Sequence, residues 1–170
     1  MLNPEIIVEG VVSTIKTITP LVTLLGADPA PPLRSRISGF LFLSGVENTL
    51  ATTVYELQSP GILVCWAGTV GGKSVGFSGM EIWKHKIDIY LRAGNASSSP
   101  TPTGAGYMWW LLMTSPVNGG PNNIRSSNAI AGIPNLDIME TPSVSHRQDQ
   151  NGLDYIIASC VFPELLDDPS

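Results

Sequence analysis

The alternation of apolar and polar positions divides the chain into helical and extended stretches. Asn3 offers an N-cap acceptor, Pro4 suits a first helical position, and Glu5 and Glu9 lie toward the positive end of the helix dipole. Behind them Ile7, Val11, Ile15 and Ile18 recur at helical spacing. Pro20 is expected to break or kink this helix, leaving Leu21, Val22, Leu24 and Leu25 as an apolar turn closed by Gly26. The Pro-rich connector Asp28 to Pro32 precedes an apolar run of strand length, Ile37 to Leu43, whose type periodicity alone leaves open. Val46 to Leu57 places Leu50, Val54 and Leu57 on one helical face, stopped by Pro60-Gly61.

From Ile62 to Trp66 the pattern reads as a strand, and Gly68 to Gly79 as a glycine-rich hairpin or assembly loop. The strongest strand signal follows. Trp83, His85, Ile87, Ile89 and Leu91 alternate with Lys84, Lys86, Asp88, Tyr90 and Arg92, so one face is apolar apart from His85 and the other is polar. A Ser/Pro/Thr/Gly loop over 94–106 leads to a short apolar helix, Tyr107 to Thr114. Leu136 to Arg147 and Leu153 to Phe162 flank Asp149-Gln150-Asn151-Gly152, and Asn-Gly tolerates the positive φ angles of a type I′ turn. Pro163 is expected to end that last strand, before the acidic Leu165-Leu166-Asp167-Asp168. These elements predict one α+β domain over 1–170: a mainly antiparallel sheet, two or three helices packed on it, and a closing C-terminal hairpin.

Composition alters this picture in one respect. Only 14% of the 170 residues are charged, where about 25% is usual, while 43% are hydrophobic and the mean hydropathy is +0.18. A surface so poor in charge points to cover by other protein. The net charge of -5 argues against sequence-independent nucleic-acid binding, which needs dense Lys and Arg. Cys65 and Cys160 lie in apolar runs without zinc-ligand spacing and read as buried free thiols. The N-terminus lacks a secretory pattern and no stretch reaches membrane-spanning length, so synthesis in the cytoplasm and no membrane partner are expected.

Several motifs carry chemistry on paper. Residues 67–74, A-G-T-V-G-G-K-S, fit a relaxed phosphate loop, with Lys73 for the phosphate oxygens and Ser74 for magnesium. Such a loop must open a helix, and Gly76 and Gly79 followed by a strand disfavour one. Gly72 to Gly76 also matches a nucleophile elbow, with Asp137 and His146 as nominal partners of Ser74, but the chain is short for the parallel sheet that carries it. His85 and His146 would need Asp149 or Asp154 to complete a metal site. The plainer expectation is one packed and one surface histidine, with no cofactor and no metal. Within the Tyr107 to Thr114 helix, Trp109 and Trp110 point about 100° apart. One is expected in the core and the other outward, as an anchor for a neighbouring subunit.

The order of these elements carries a resemblance. A helical N-terminal part, a helix ending in Pro-Gly, an apolar strand, the Glu81 to Leu91 strand, a short apolar helix ended by Asn118-Gly119, and the hairpin from Met139 to Phe162 together resemble the tail-terminator and tail-completion proteins of long-tailed bacteriophages. The resemblance covers roughly residues 46–166, with 1–45 as an N-terminal helical extension. It implies a non-enzymatic virion protein, assembled in the host cytoplasm into a homo-hexameric ring at the phage neck. There it would end the tail tube and join it to the head-tail connector protein, with DNA passing through the lumen without sequence-specific contact.

Charge placement fits this expectation. Seven carboxylates and one Arg lie between Asp137 and Asp168, so Asp167 and Asp168 are candidates to line a lumen from which DNA is repelled. Lys84, Lys86 and Arg92 are candidates, with Trp109 and Trp110, for a subunit interface. The alternatives are another connector or completion protein of the neck, a small hydrolase using Ser74 and His146, and a monomeric ligand-binding module.

Overall fold

Asn3 does what its position predicts: its side chain accepts the Glu5 amide at 3.0 Å, and helix α1 (Pro4–Ile15) follows. The computed structural model describes residues 1–40, 57–75, 80–94, 104–126, 130, 133, 136–137, 139–148 and 154–167. The expected break is present, since α1 ends at Ile15, and what differs is that the segment beyond it is a second helix opened by Pro20. That proline lies in the first turn of α2 (Thr19–Leu25), where a missing N–H has no intrahelical acceptor to lose, and Gly26 caps that helix at φ 80°. The two helices meet at 86° and bury Ile7, Val8, Val11, Ile15, Leu21 and Leu25. No single helix among the described residues is long and apolar enough to cross a membrane.

Five strands then build a mixed sheet: β1 (Ile37–Phe40), β2 (Gly61–Val75), β3 (Met80–Arg92), β4 (Ser143–Gln148) and β5 (Asp154–Asp167), ordered β1-β2-β3-β5-β4. Only β1 and β2 run parallel. Helix α3 (Ala105–Thr114) lies between β3 and β4 in the chain. The architecture is therefore α+β, mostly antiparallel, with three helices among the described residues and a closing β4–β5 hairpin. The expected helix from Val46 lies outside the described residues except for buried Leu57. Residues 41–43 of the first apolar run and the 149–152 turn also lie outside them.

Alternation decides which face is core. Ile87, Ile89 and Leu91 of β3, with Ile156, Ala158, Cys160 and Phe162 of β5, point at the helices and join Ile62 and Val64 of β2 in the main cluster. Each fully buried Ile or Leu contributes about 1.5–3 kcal/mol. Leu63 and Cys65 point the other way, into a smaller cluster with Phe40, Leu57 and Tyr90. α1 packs on β1 and β2, and α3 on β3 and β5.

Four element bounds differ from the sequence expectations. The glycine-rich stretch is strand as far as Val75, with irregularities between Trp66 and Gly68 and between Val70 and Lys73. Gly68, at φ 122°, supplies a conformation other residues avoid, and Gly71 leaves room for the Trp83 ring, 2.0 Å from where its Cβ would stand. Pro163 does not end β5, which runs to Asp167. Its carbonyl accepts the Asp137 amide at 2.8 Å, so its amide position faces the outer edge and no β3 bond is lost. The expected strand from Leu136 reduces to an isolated bridge with Glu164, and regular pairing begins at Ser143. At the 94–106 loop the helix also starts earlier than expected, at Ala105.

Candidate functional site

α3 contains no charged residue. Its inner side buries Ala105, Met108, Leu111, Leu112 and Met113, and Trp109 packs half-buried against that core. Tyr107 and Trp110, one turn apart, remain 46% and 55% exposed. Their rings stack at 5.7 Å between centroids and 14° between planes, an offset-stack separation typical of aromatic pairs. Gly106 and Thr114 complete an exposed helix face without charge. The expectation of one inward and one outward Trp is met. Tyr107 was legible as well, since it sits three residues before Trp110 on the same side.

A second apolar surface lies at the free end of the sheet, on the face away from the helices. Register places Val70, Lys84 and Pro163 in one row and Ile82 with Leu165 in the next. Val70 is 56% exposed and Leu165 39%. The basic residues proposed for an interface are partly engaged within the subunit. Lys84 Nζ lies 2.6 Å from Glu140 Oε1, and Arg92 donates from Nη1 to the Leu57 carbonyl at 2.7 Å. Lys86 is exposed beside Val161. The candidate lumen carboxylates sit at the chain's far end: Asp167 closes β5 opposite Met80, and Asp168 lies outside the described residues.

His85 is the packed histidine. It is fully buried, and Nε2 lies 2.5 Å from Oε2 of Glu164, which is itself 2% exposed. Glu164 also accepts the Leu2 amide on both oxygens, at 2.9 and 3.0 Å, and the Met1 ammonium stands 3.8 Å away. On the other ring nitrogen, Thr69 Oγ1 approaches Nδ1 at 3.1 Å and accepts from the Trp66 indole at 3.2 Å. Trp66 can only donate, so Thr69 Oγ1 accepts from it, and polar contacts run unbroken from Trp66 through Thr69 and His85 to Glu164. Sequence reading missed Glu164 because a buried Glu just after a Pro in a tail rich in carboxylates looks like one more surface acid.

The chemistry that needs other residues together does not assemble. Ser74 shares a row with Glu81 and Leu166, whereas His146 pairs with Ile156 on the far side of β5. Their rows lie about 33 Å apart along the sheet. Residues 67–74 are strand, not the loop before a helix that phosphate binding requires. His146 is exposed and lies 3.5 Å from Asp154 Oδ1, and His85 lies two strands away. Among the described residues no three His, Cys, Asp or Glu converge on a metal position. Cys65 and Cys160 are free and buried on opposite faces of the sheet; burial pushes both thiols up from 9.0 to about 12.

The chain matches no protein-family model and no curated protein.

Proposed function

We propose that this protein is a structural subunit of the phage neck, a tail-terminator or tail-completion protein that works by forming a ring. In this reading the ring ends the tail tube, meets the head-tail connector and lets DNA pass. The observation that carries it is the charge-free face of α3, with two stacked aromatics held in water on a helix whose opposite side is core. A solitary domain covers such a face with Lys and Glu; a subunit covers it with a neighbour. The element order supports the specific assignment, since within 46–166 a long antiparallel pair, a short apolar helix and a closing hairpin follow in the order of the resemblance, whose first helix lies outside the described residues. The exposed sheet end, with Val70 and Leu165, gives a further surface for a tube or connector partner.

Negative-stain images and light scattering test this directly. The expected result is closed rings of about six copies. A protein that stays monomeric at the highest concentration it tolerates overturns the ring reading.

A further inference from the structure

The face of the sheet turned away from the helices gathers cations that the net charge of -5 conceals. Lys84, Lys86 and Arg92 lie on the side of β3 opposite the buried Ile87, Ile89 and Leu91, and Arg147 of β4 stands in the Arg92 row, across Tyr155. Four of the chain's nine Lys and Arg therefore share one face. Lys84, Lys86 and Arg147 are exposed on it, and among the described residues the helices pack on the other side of the sheet. From the Lys84 row to the Arg92 row the surface runs about 26 Å along the strand, and from β3 to β4 about 10 Å. Two acids stand among these cations without cancelling them. Asp88 accepts the Ser159 hydroxyl at 2.7 Å, and Glu140 meets Lys84 at 2.6 Å in an exposed pair, which contributes little and yields to a competing anion. Hydroxyls lie on the same face. Ser143 stands across from Ser159 and Ser145 across from Ile157, both exposed.

We infer that this face binds the phosphodiester backbone of duplex DNA, through Lys84, Lys86 and Arg147, without reading its sequence. Lys and Arg heads with Ser hydroxyls beside them are the groups that meet phosphate oxygens. A protein partner would call for an apolar anchor at the centre of the patch, where Lys is depleted. The exposed large apolar residues of this face, Val70 and Leu165, lie instead at its end, at and beyond the Lys84 row. The net charge argued against nucleic acid because it averages over the chain; the register collects the cations where one flat surface can use them. Three contacts make a weak, salt-sensitive attachment along which DNA slides. The inference rests on the neck reading only for bringing DNA to the protein.

Fluorescence anisotropy with a labelled duplex of about 30 base pairs tests the surface on the full chain. Three phosphate contacts predict a loss of about 40-fold in affinity between about 50 and 200 mM salt. Lys86→Glu/Arg147→Glu is expected to bind about 10-fold or more weakly at the lower salt, with a salt slope shallower by about 2. Lys16→Glu/Arg125→Glu has the same net charge, but its two positions, at the end of α1 and in the loop after α3, belong to no strand; it should bind like the wild type. All four side chains are exposed, and circular dichroism confirms that each variant folds. A wild type that binds no duplex at the lower salt overturns the inference, as does an equal loss in both variants, which would reflect total charge and not this face. Poly-glutamate bound in place of the duplex would assign the face to an acidic protein, and also overturns it. Light scattering on the same samples keeps the two readings apart: rings without DNA binding remove this surface alone, and a monomer that binds DNA through Lys86 and Arg147 supports the surface and removes the ring.

Discussion

Glu164 is a carboxylate placed where only its partners make it tolerable. Removing one member of a buried pair strands the other without water, which costs about 3–5 kcal/mol, more than the intact pair contributes. Glu164→Ala is therefore expected to lower unfolding stability by about 3–5 kcal/mol in urea titration. Glu164→Gln keeps an acceptor for the Leu2 amide and should cost about 1–3 kcal/mol. Equal stability in all three proteins would show that the network contributes nothing. Because Glu164 reaches Leu2 as well as His85, the Ala variant should also free the segment before α1, raising hydrogen exchange at the Leu2 amide. His85 itself was legible from the alternation around it, which put it on the apolar face. Its partner was not, since a strand expected to end at Pro163 left Glu164 outside the sheet.

At the scale of elements, alternation and capping located most of the architecture. Trp83 to Leu91 gave β3 and its buried face, Asn3-Pro4 gave the start of α1, and the apolar run from Tyr107 to Thr114 gave α3 with one Trp turned inward and the other outward. What failed had a common cause: Gly and Pro were read as punctuation although tertiary neighbours used them otherwise. Pro163 turns its missing donor to an outer edge, and Gly71 leaves room for the indole lying across it. The hairpin of β2 and β3 therefore depends on a residue without a side chain. Gly71→Val is expected to displace Trp83 and destabilise the protein by about 1–3 kcal/mol, with a shift in tryptophan emission. Gly71→Val folding with unchanged stability and emission would show that the ring moves aside freely.

For the whole molecule, a sheet covered on one face by helices and on part of the other by a smaller cluster has a thiol under each. Both thiols are neutral in the folded state, with values raised by burial from 9.0 to about 12. A raised folded value means that their contribution is complete below 9, declines as pH rises past it, and is gone beyond about 12. Tyr90, raised by burial from 10.0 to about 12, acts in the same direction. The urea midpoint is expected to fall between pH 9 and 12, and to fall less in a Cys65→Ala/Cys160→Ala double variant. A midpoint independent of pH there would contradict this. The scarcity of charge belongs to this scale as well. Of the seven carboxylates between Asp137 and Asp168, Glu164 is buried with His85, Glu140 meets Lys84 and Asp154 lies by His146. Three of the seven are thus engaged inside the subunit, and the candidate lumen residues Asp167 and Asp168 are not among those three.

The strand β4 has a different consequence. All six of its residues, Ser143 to Gln148, are exposed, and among the described residues it pairs with β5 alone. It adds hydrogen bonds to the fold and almost no core, so its sequence is nearly free of the packing constraints that govern β3 and β5. That freedom makes the hairpin arm the part of this protein whose surface can be rewritten most freely in evolution while the packing of β3 and β5 stays as it is.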